Sequence, residues 1–344
     1  MLNLNQNQYS DFLNITNKAF LPLKNFVNEK EYKSILNYQK INKKFFPLPI
    51  LFGLKKKDYK KIKDKKKVRL EYRGYKVASI CKLKFFKINK NNYGKKIYGK
   101  NFLKHPYFKE FNKYFIFLSF KISKIFNYNK NTSYFISPKQ FKKKINNKNC
   151  NNLASFHTRN VPHLAHQWIH KYLFNLSGSL LIQPLIGQYK KGEYKDKIIM
   201  KLNRLAAKSY KNKNIFVIPF YSYPRYGGPL EAALHAIVRK NYGCKSVWIG
   251  RDHAGYKNFF KKYDSQNYCK KKMKSLGIKI IAENEPYFCK SKNKILNNCN
   301  CKKNCKILIS GSKIRSLIKN SKKISSTFMN EDLSKLLNKK TLVS

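Results

Sequence analysis

Residues 228–250 read GPLEAALHAIVRKNYGCKSVWIG. Leu230, Ala233, Leu234, Ile237 and Val238 fall at i, i+3, i+4, i+7 and i+8, one face of a helix. Pro229 opens that helix and Gly243 closes it. SVWIG (246–250) follows as a strand. The same alternation runs outward on both sides. LASF (153–156), LLIQPLI (180–186), NIFVIPF (214–220) and IKIIAE (278–283) read as strands. VPHLAHQWIHKYLF (161–174), with Pro162 at its start, and IIMKLNRLAAKSY (198–210) read as helices. Repeated β-α-β units at these spacings imply a parallel sheet with right-handed crossovers, hence an α/β fold.

Before this region the pattern differs. FPLPILFGL (46–54), VRLEYRGYKVASICKLKFF (68–86) and YFIFLSF (114–120) are β-like runs between Lys/Asn-rich loops, with a turn at Arg73-Gly74. They predict a mostly β domain. The polar stretch KKKINNKNCNN (142–152) marks its end. At the other end, Ser310 caps a helix in GSKIRSLIKN, and a charged amphipathic tail follows, in which EDLSKLL (331–337) reads as packing on the core rather than as a partner helix. The expected division is 1–150, 151–305 and a short helical segment 306–344.

The 344 residues are 42% hydrophobic, enough for a real core. No apolar run approaches the ~20 residues of a membrane span. The N-terminus MLNLNQNQYSDFLNI lacks the basic-then-apolar order of a signal peptide. The expectation is a cytoplasmic protein without a membrane partner. A net charge of +59 invites a nucleic-acid reading, with a β domain and a basic surface binding RNA. However, lysine dominates, with only eight arginines, and the lysines are spread along the whole chain. Lys, Asn, Ile, Phe and Tyr all use A/T-rich codons, so base-composition bias accounts for them together, and no specific nucleic-acid partner is expected. The charge still favours anionic substrates.

In an open α/β sheet, ligands bind at the carboxyl ends of the strands. HTRN (157–160), YPRYGGP (223–229) and GRDHAG (250–255) each follow a predicted strand. They carry Arg159, Arg225 and Arg251, three of the eight arginines. Where Lys is the default cation, Arg at these places suggests a planar fork clamping an oxyanion. His163 and His166 lie three apart on one face at the start of a helix, where backbone N–H groups favour anions. Without Glu in the second position, H-x-x-H is not a zinc-protease helix, and the chain has no G-x-x-x-x-G-K-[ST] loop.

HTRNVPHLAH resembles the QTRN-x-x-H-x-x-H motif of the ATP sulfurylase (sulfate adenylyltransferase) family. GPLEAALHAIVRKNYGCKSVWIGRDHAG (228–255) is similar to that family's second signature. PLIGQYKKGEY (184–194), SGSKIR (310–315), AFLPLKNFVNEKEYKSIL (19–36), FPLPI (46–50) and HP (105–106) extend the likeness over almost the whole chain. The resemblance implies a PUA-like β domain followed by a Rossmann-like nucleotidyltransferase domain. It implies that ATP and sulfate are converted to adenosine 5′-phosphosulfate and diphosphate, with Mg²⁺ on the ATP phosphates, in a homodimer. The reaction runs towards adenosine 5′-phosphosulfate in assimilation and towards ATP in sulfur oxidation.

By the same resemblance His157, Arg159 and Ala254 face sulfate. Asn160, His163, His166, Gly250, Asp252 and His253 face ATP. Arg159, Asn160 and Arg251 carry the catalysis. Sulfate is already an anion, so the chemistry needs neither a base nor a covalent nucleophile, only donors that bring two anions together and stabilise the leaving diphosphate.

Two positions depart from the family: His157 stands for its Gln, and Leu230 for an Arg. A neutral His157 is expected still to donate to sulfate. Some bacterial members carry a zinc site of the form C-x-x-C followed by C-P-H. Here Cys289, Cys299, Cys301 and Cys305 crowd together at a different spacing, with Lys292 three residues after Cys289. They read either as zinc ligands or as free thiols of a remodelled site. The chain ends soon after SGSKIR, so no fused kinase domain is expected.

Overall fold

The computed structural model describes residues 1–126, 135–148, 150–187, 191–301 and 303–344. Asn149 in the polar stretch, and 188–190 in the loop at 184–194, lie outside the described residues. The chain forms two compact units. The first contains Met1–Pro138, Ser222–Tyr242 and Arg251–Ile278, the second Lys139–Tyr221, Gly243–Gly250 and Lys279–Ser344.

The first unit holds a curled, mixed five-stranded sheet. Its order is Leu2–Asn3, Lys67–Tyr72, Tyr75–Phe86, Ile116–Ile125, Gly53–Leu54. The first pair is parallel and the rest are antiparallel. The predicted hairpin is present. Tyr72 faces Tyr75, and Arg73 (φ 51°) and Gly74 (φ 81°) both take the left-handed conformation that a two-residue turn between twisted strands requires. Register shifts near Ser79 and Cys81 bend the long strand, which curls the sheet.

Two expectations fail here. FPLPILFGL is a strand only at Gly53–Leu54. Pro47 and Pro49 have no N–H for a ladder, so the run stays irregular although Phe46, Leu48, Ile50 and Phe52 are buried. Nor is the unit mostly β. Helices occupy Gln6–Thr16, Glu29–Tyr38, Lys56–Ile62, Lys90–Tyr98 and Pro106–Asn112. The first two begin with capping boxes, Asn5 with Gln8 and Asn28 with Glu31. The abundance of Lys and Asn disguised these segments as loops.

The second unit is built on parallel strands in the order Ile215–Val217, Ser179–Ile186, Leu153–Thr158, Ser246–Trp248, Lys279–Ile281. In chain order this is 3-2-1-4-5, the Rossmann arrangement. NIFVIPF is interrupted at Pro219, after which Phe220–Tyr221 pairs separately with Ser179–Ile186. Phe156, Leu180, Ile182 and Trp248 pack with Ile169 and Leu173 of the helix Leu164–Ser177. A second cluster joins Val161, Ile199, Leu202 and Ala206 to Ile314, Ile318, Phe328 and Leu333, so the C-terminal segment packs on the core as expected. Ser310 caps the helix Gly311–Lys319 by accepting from Lys313 N. Tyr287–Cys289, Lys294–Leu296 and Lys306–Leu308 form a small antiparallel sheet. Among the described residues no helix is long and apolar enough to cross a membrane.

A buried ion pair ties distant parts of the first unit together. Arg225 Nη2 donates to Asp11 Oδ1, with the two side chains only 4% and 5% exposed. Tyr223 donates its hydroxyl to Asp11 Oδ2 at 2.8 Å, and the Arg225 guanidinium lies 4.2 Å from the Tyr223 ring centre. Asp11→Ala leaves a guanidinium buried without its counter-charge and is expected to cost about 3–5 kcal/mol of stability. Urea unfolding reads this directly, and a loss below about 1 kcal/mol refutes a structural role for the pair.

Candidate functional site

In the second unit, His157 ends the central strand Leu153–Thr158, and the chain turns through Arg159 and Asn160 into a helix. The strands before and after the order reversal, 1 and 4, are neighbours, and HTRN leaves the sheet there. That is where such folds bind ligands. His157 Nδ1 lies 3.0 Å from the carbonyl oxygen of Gln183. A carbonyl only accepts, so Nδ1 carries the proton, and in a neutral ring Nε2 is an acceptor. The expectation that neutral His157 donates to sulfate is thereby corrected: Nε2 donates only when the ring is protonated.

Asn160 is held on several sides. Its N–H donates to Thr158 Oγ1 at 3.0 Å, and its carbonyl accepts from Asn203 Nδ2 at 3.3 Å. Its side-chain Oδ1 accepts from Arg315 Nη1 at 2.5 Å, and Arg315 also lies 3.6 Å from Glu193. Arg159 is half-buried beside it.

The helix runs from Leu164 to Ser177, three residues later than read from the sequence. Pro162 precedes it, and His163 is its cap: Nδ1 accepts from His166 N at 3.3 Å. A cap accepting on Nδ1 keeps its proton on Nε2, so neutral His163 is a donor at the helix N-terminus. The His163 and His166 rings stack with centroids 3.7 Å apart. Burial, then the neighbouring imidazoles, pushes His163 well below the usual histidine range. Burial also lowers His166, to about 4, against a partly compensating hydrogen bond to the Val161 backbone. Both are neutral rings rather than cations: His163 is a donor through Nε2, whereas the N–H of His166 is taken by the Val161 backbone.

The first unit holds the other two motifs. Arg225, read from sequence as an anion clamp, is instead the buried partner of Asp11. A guanidinium already neutralised in the interior cannot also take an external anion. Glu231, fully buried, accepts from the N–H groups of Arg225 (2.8 Å) and Gly227 (3.0 Å), fixing the YPRYGG loop. Glu231 Oε1 also lies 3.7 Å from His235 Nε2, and His235 Nδ1 lies 3.1 Å from His253 Nε2. His253 thus stands at the end of a Glu-His-His chain.

Within GRDHAG, Asp252 (φ 55°) and Ala254 (φ 58°) both adopt the left-handed conformation. Non-glycine residues pay for that geometry and cluster at functional loops. The Asp252 carbonyl accepts from Gly255 N at 3.1 Å, and the Ala254 carbonyl from Gly228 N at 3.0 Å. Gly228, at φ 52°, has no room for a Cβ, which would lie 2.6 Å from the Phe260 ring. Gly250 lies in the second unit and Arg251, half-buried, in the first. Asn203, Glu231, His235 and Arg315 were missed by sequence reasoning. An acidic residue in the first turn of a helix after an Arg/Gly loop was the available signal for Glu231.

The cysteines converge as well. The sulfur atoms of Cys289, Cys299, Cys301 and Cys305 all lie within 4.8 Å of one another. Cys289 Sγ is 3.7 Å from Cys301 and Cys305 and 3.9 Å from Cys299. Four sulfurs at 2.3 Å from a tetrahedral zinc are about 3.8 Å apart, so the donor set fits that ion. Disulfides would need about 2.05 Å. The Tyr287 hydroxyl donates to Cys299 Sγ at 3.0 Å, the main reason the Cys299 thiol is lowered to about 6.

Comparison with known proteins is consistent along the chain. A family model described as ATP-sulfurylase matches residues 132–340, and a PUA-like domain model matches 1–117. The chain is 28% identical to a sulfate adenylyltransferase of Ignicoccus hospitalis over 91% of this chain and 84% of that one. It is 27% identical to that of Pyrococcus abyssi, over 90% and 82%. With that of Chloroflexus aurantiacus it shares 24% over 98% and 90%. Among solved structures, a chain of the hexameric APS kinase from Thiobacillus denitrificans superposes with a TM-score of 0.71 at 14% identity. The match covers 97% of this chain and 62% of that one, and at this identity it concerns the fold alone.

The buried imidazoles set an acid limit on stability. His163, His166 and His170 in the second unit, and His105 in the first, are all lowered, chiefly by burial. The unfolded chain therefore binds more protons than the folded one once pH falls below about 6.5. Stability is full above that pH and declines by about 1.4 kcal/mol per pH unit for each imidazole. Asp196, raised to about 6 by burial, and Asp11, also raised by burial, oppose this with one proton each, fewer than the four imidazoles. The urea midpoint is expected to fall between about pH 7 and pH 5. A flat or rising midpoint contradicts neutral burial of these rings.

Proposed function

Since the chain belongs to the ATP-sulfurylase family, we propose that it is a sulfate adenylyltransferase, converting ATP and sulfate to adenosine 5′-phosphosulfate and diphosphate. One observation carries this reading. HTRN, followed by the capped His163/His166 pair, leaves the central strand of a 3-2-1-4-5 sheet, and GRDHAG follows the neighbouring strand Ser246–Trp248 in the chain.

In the proposed reaction a sulfate oxygen attacks the α-phosphorus of ATP in line, and diphosphate leaves. Arg159 and the Ala254 backbone hold sulfate, joined by His157 through Nε2 when its ring is protonated. Asn160, His163 and His166, with Gly250, Asp252 and His253, hold ATP. Arg159, Asn160 and Arg251 stabilise the charge that moves onto the departing phosphates. His163 contributes its Nε2–H, pre-aimed by the capping bond on Nδ1. Mg²⁺ belongs with the substrate. Asp252 is the single carboxylate among these residues, so the phosphates and water supply most of the ion's ligands. A division at 150 and 305 and assembly as a homodimer belong to the same reading, the latter measurable by sedimentation.

The assay is ATP formation from adenosine 5′-phosphosulfate, diphosphate and Mg²⁺, read by luminescence. Arg159→Ala and Arg251→Ala are each expected to lose ~10²–10³ in rate with an unchanged melting temperature. Near-native turnover in either refutes the assignment of that arginine.

For the cysteines we propose a structural zinc held by Cys289, Cys299, Cys301 and Cys305. Four thiolates leave no open position, so the ion braces the small sheet and takes no part in the reaction. Purified protein is expected to carry one zinc per chain by elemental analysis. Cys289→Ser should lose it and expose the segment around 285–308 to protease. Metal-free native protein with unchanged protease resistance refutes the site.

A further inference from the structure

We propose that Arg315 is a positioning residue that sets the polarity of the Asn160 side chain, turning its amide nitrogen towards an anionic phosphate ligand. The proposal rests on the adenylyltransferase reading, which gives Asn160 its ligand but assigns nothing to Arg315.

An asparagine amide has one end that attracts phosphate and one that repels it. Nδ2 carries two donors, and Oδ1 only accepts. The two ends are nearly the same size, so packing alone does not choose between them. The backbone of Asn160 is already fixed, with its N–H on Thr158 Oγ1 and its carbonyl taking Asn203 Nδ2. What remains is rotation of the amide through half a turn. Arg315 Nη1 sits 2.5 Å from one end of that amide. A guanidinium has five donors and no acceptor, so only oxygen can occupy that end. The nitrogen is thereby forced to the other side, where it makes no hydrogen bond among the described residues.

The rest of the contact serves the same end. Gly311 and Arg315 are four apart on the helix Gly311–Lys319 and share a face. A Cβ on Gly311 would lie 2.6 Å from Asn160 Cγ and Oδ1 and 2.8 Å from Nδ2. The bare glycine lets the first turn of the helix lie directly against the amide, and the arginine one turn later reaches its oxygen. Glu193, 3.6 Å from Arg315 Nη1, and the Tyr194 ring, whose centre is 5.9 Å from the guanidinium carbon, hold the arginine in turn. Two stretches that the reaction does not otherwise use, SGSKIR and the end of PLIGQYKKGEY, thus converge on one side chain of HTRN.

Lysine at this position would keep a donor on the amide oxygen, whereas methionine has similar length and none. The test is a double-mutant cycle in the ATP-forming assay with Asn160→Ala, Arg315→Met and their combination, plus Arg315→Lys, with melting temperature followed throughout. If Arg315 acts through Asn160, the two single losses do not add. Asn160→Ala is expected to lower kcat/KM for diphosphate by ~10²-fold. Arg315→Met should lower it by at least ~10-fold, the double variant should match Asn160→Ala within about threefold, and Arg315→Lys should recover most of the loss. KM for adenosine 5′-phosphosulfate is expected to move less than that for diphosphate. Losses that multiply in the double variant, full activity of Arg315→Met, or equal loss in Arg315→Lys overturn the proposal while the adenylyltransferase reading stands. An inactive native protein overturns that reading, and this one with it.

Discussion

The pairing of Leu153–Thr158 with Ser179–Ile186 on one side and Ser246–Trp248 on the other is the constraint on which the second unit rests. Strands that are parallel all end at the same rim. The order 3-2-1-4-5 sends the chain away in opposite directions from the first and fourth strands, which opens the rim between them. His157 is the last residue but one of the central strand, in register with Gln183, so the register that builds the sheet also fixes the imidazole tautomer. A slip of one residue would turn His157 to the other face and bring Phe156 out of the core.

Each unit holds its motif residues as neutral or already-paired polar groups, despite a chain crowded with lysine. His163 caps its helix as a neutral ring, and burial keeps His166 neutral with it. Arg225 is neutralised by Asp11, and Glu231 is taken up by backbone N–H groups and His235. Fixed, desolvated donors need no rearrangement when charge moves beside them, whereas mobile lysines do. The high net charge therefore says little about which polar groups are fixed: these are a few arginines and imidazoles held by other side chains.

Sequence reading succeeded where periodicity was strong and the breakers were unambiguous. The helix opened by Pro229 and the turn at Arg73-Gly74 stand where they were expected. It failed where composition misled it. The helices Glu29–Tyr38 and Lys90–Tyr98 were lost among lysines and asparagines, although Asn28 and Asn89 cap them. FPLPILFGL had the apolar character of a strand but not the N–H groups, because two prolines interrupt it. Arg225 looked like its counterparts in HTRN and GRDHAG, and only burial separates it from them. In the linear chain Asp11 is too remote to suggest the pair.

The sequence by itself determined the parallel α/β core, the cap at Ser310, the helix start at Pro229, and the motif set that marks the family. These follow from local rules: period, turn chemistry and short spacing. Only the tertiary structure decided which polar atoms meet. It joined Arg315 to Asn160 across 155 positions and Arg225 to Asp11 across 214. It also gathered four cysteines of irregular spacing into one cluster. Hydrogen bonds and ion pairs are short-ranged and directional, so their partners are chosen by where folding brings the chain together, which spacing along the sequence does not encode.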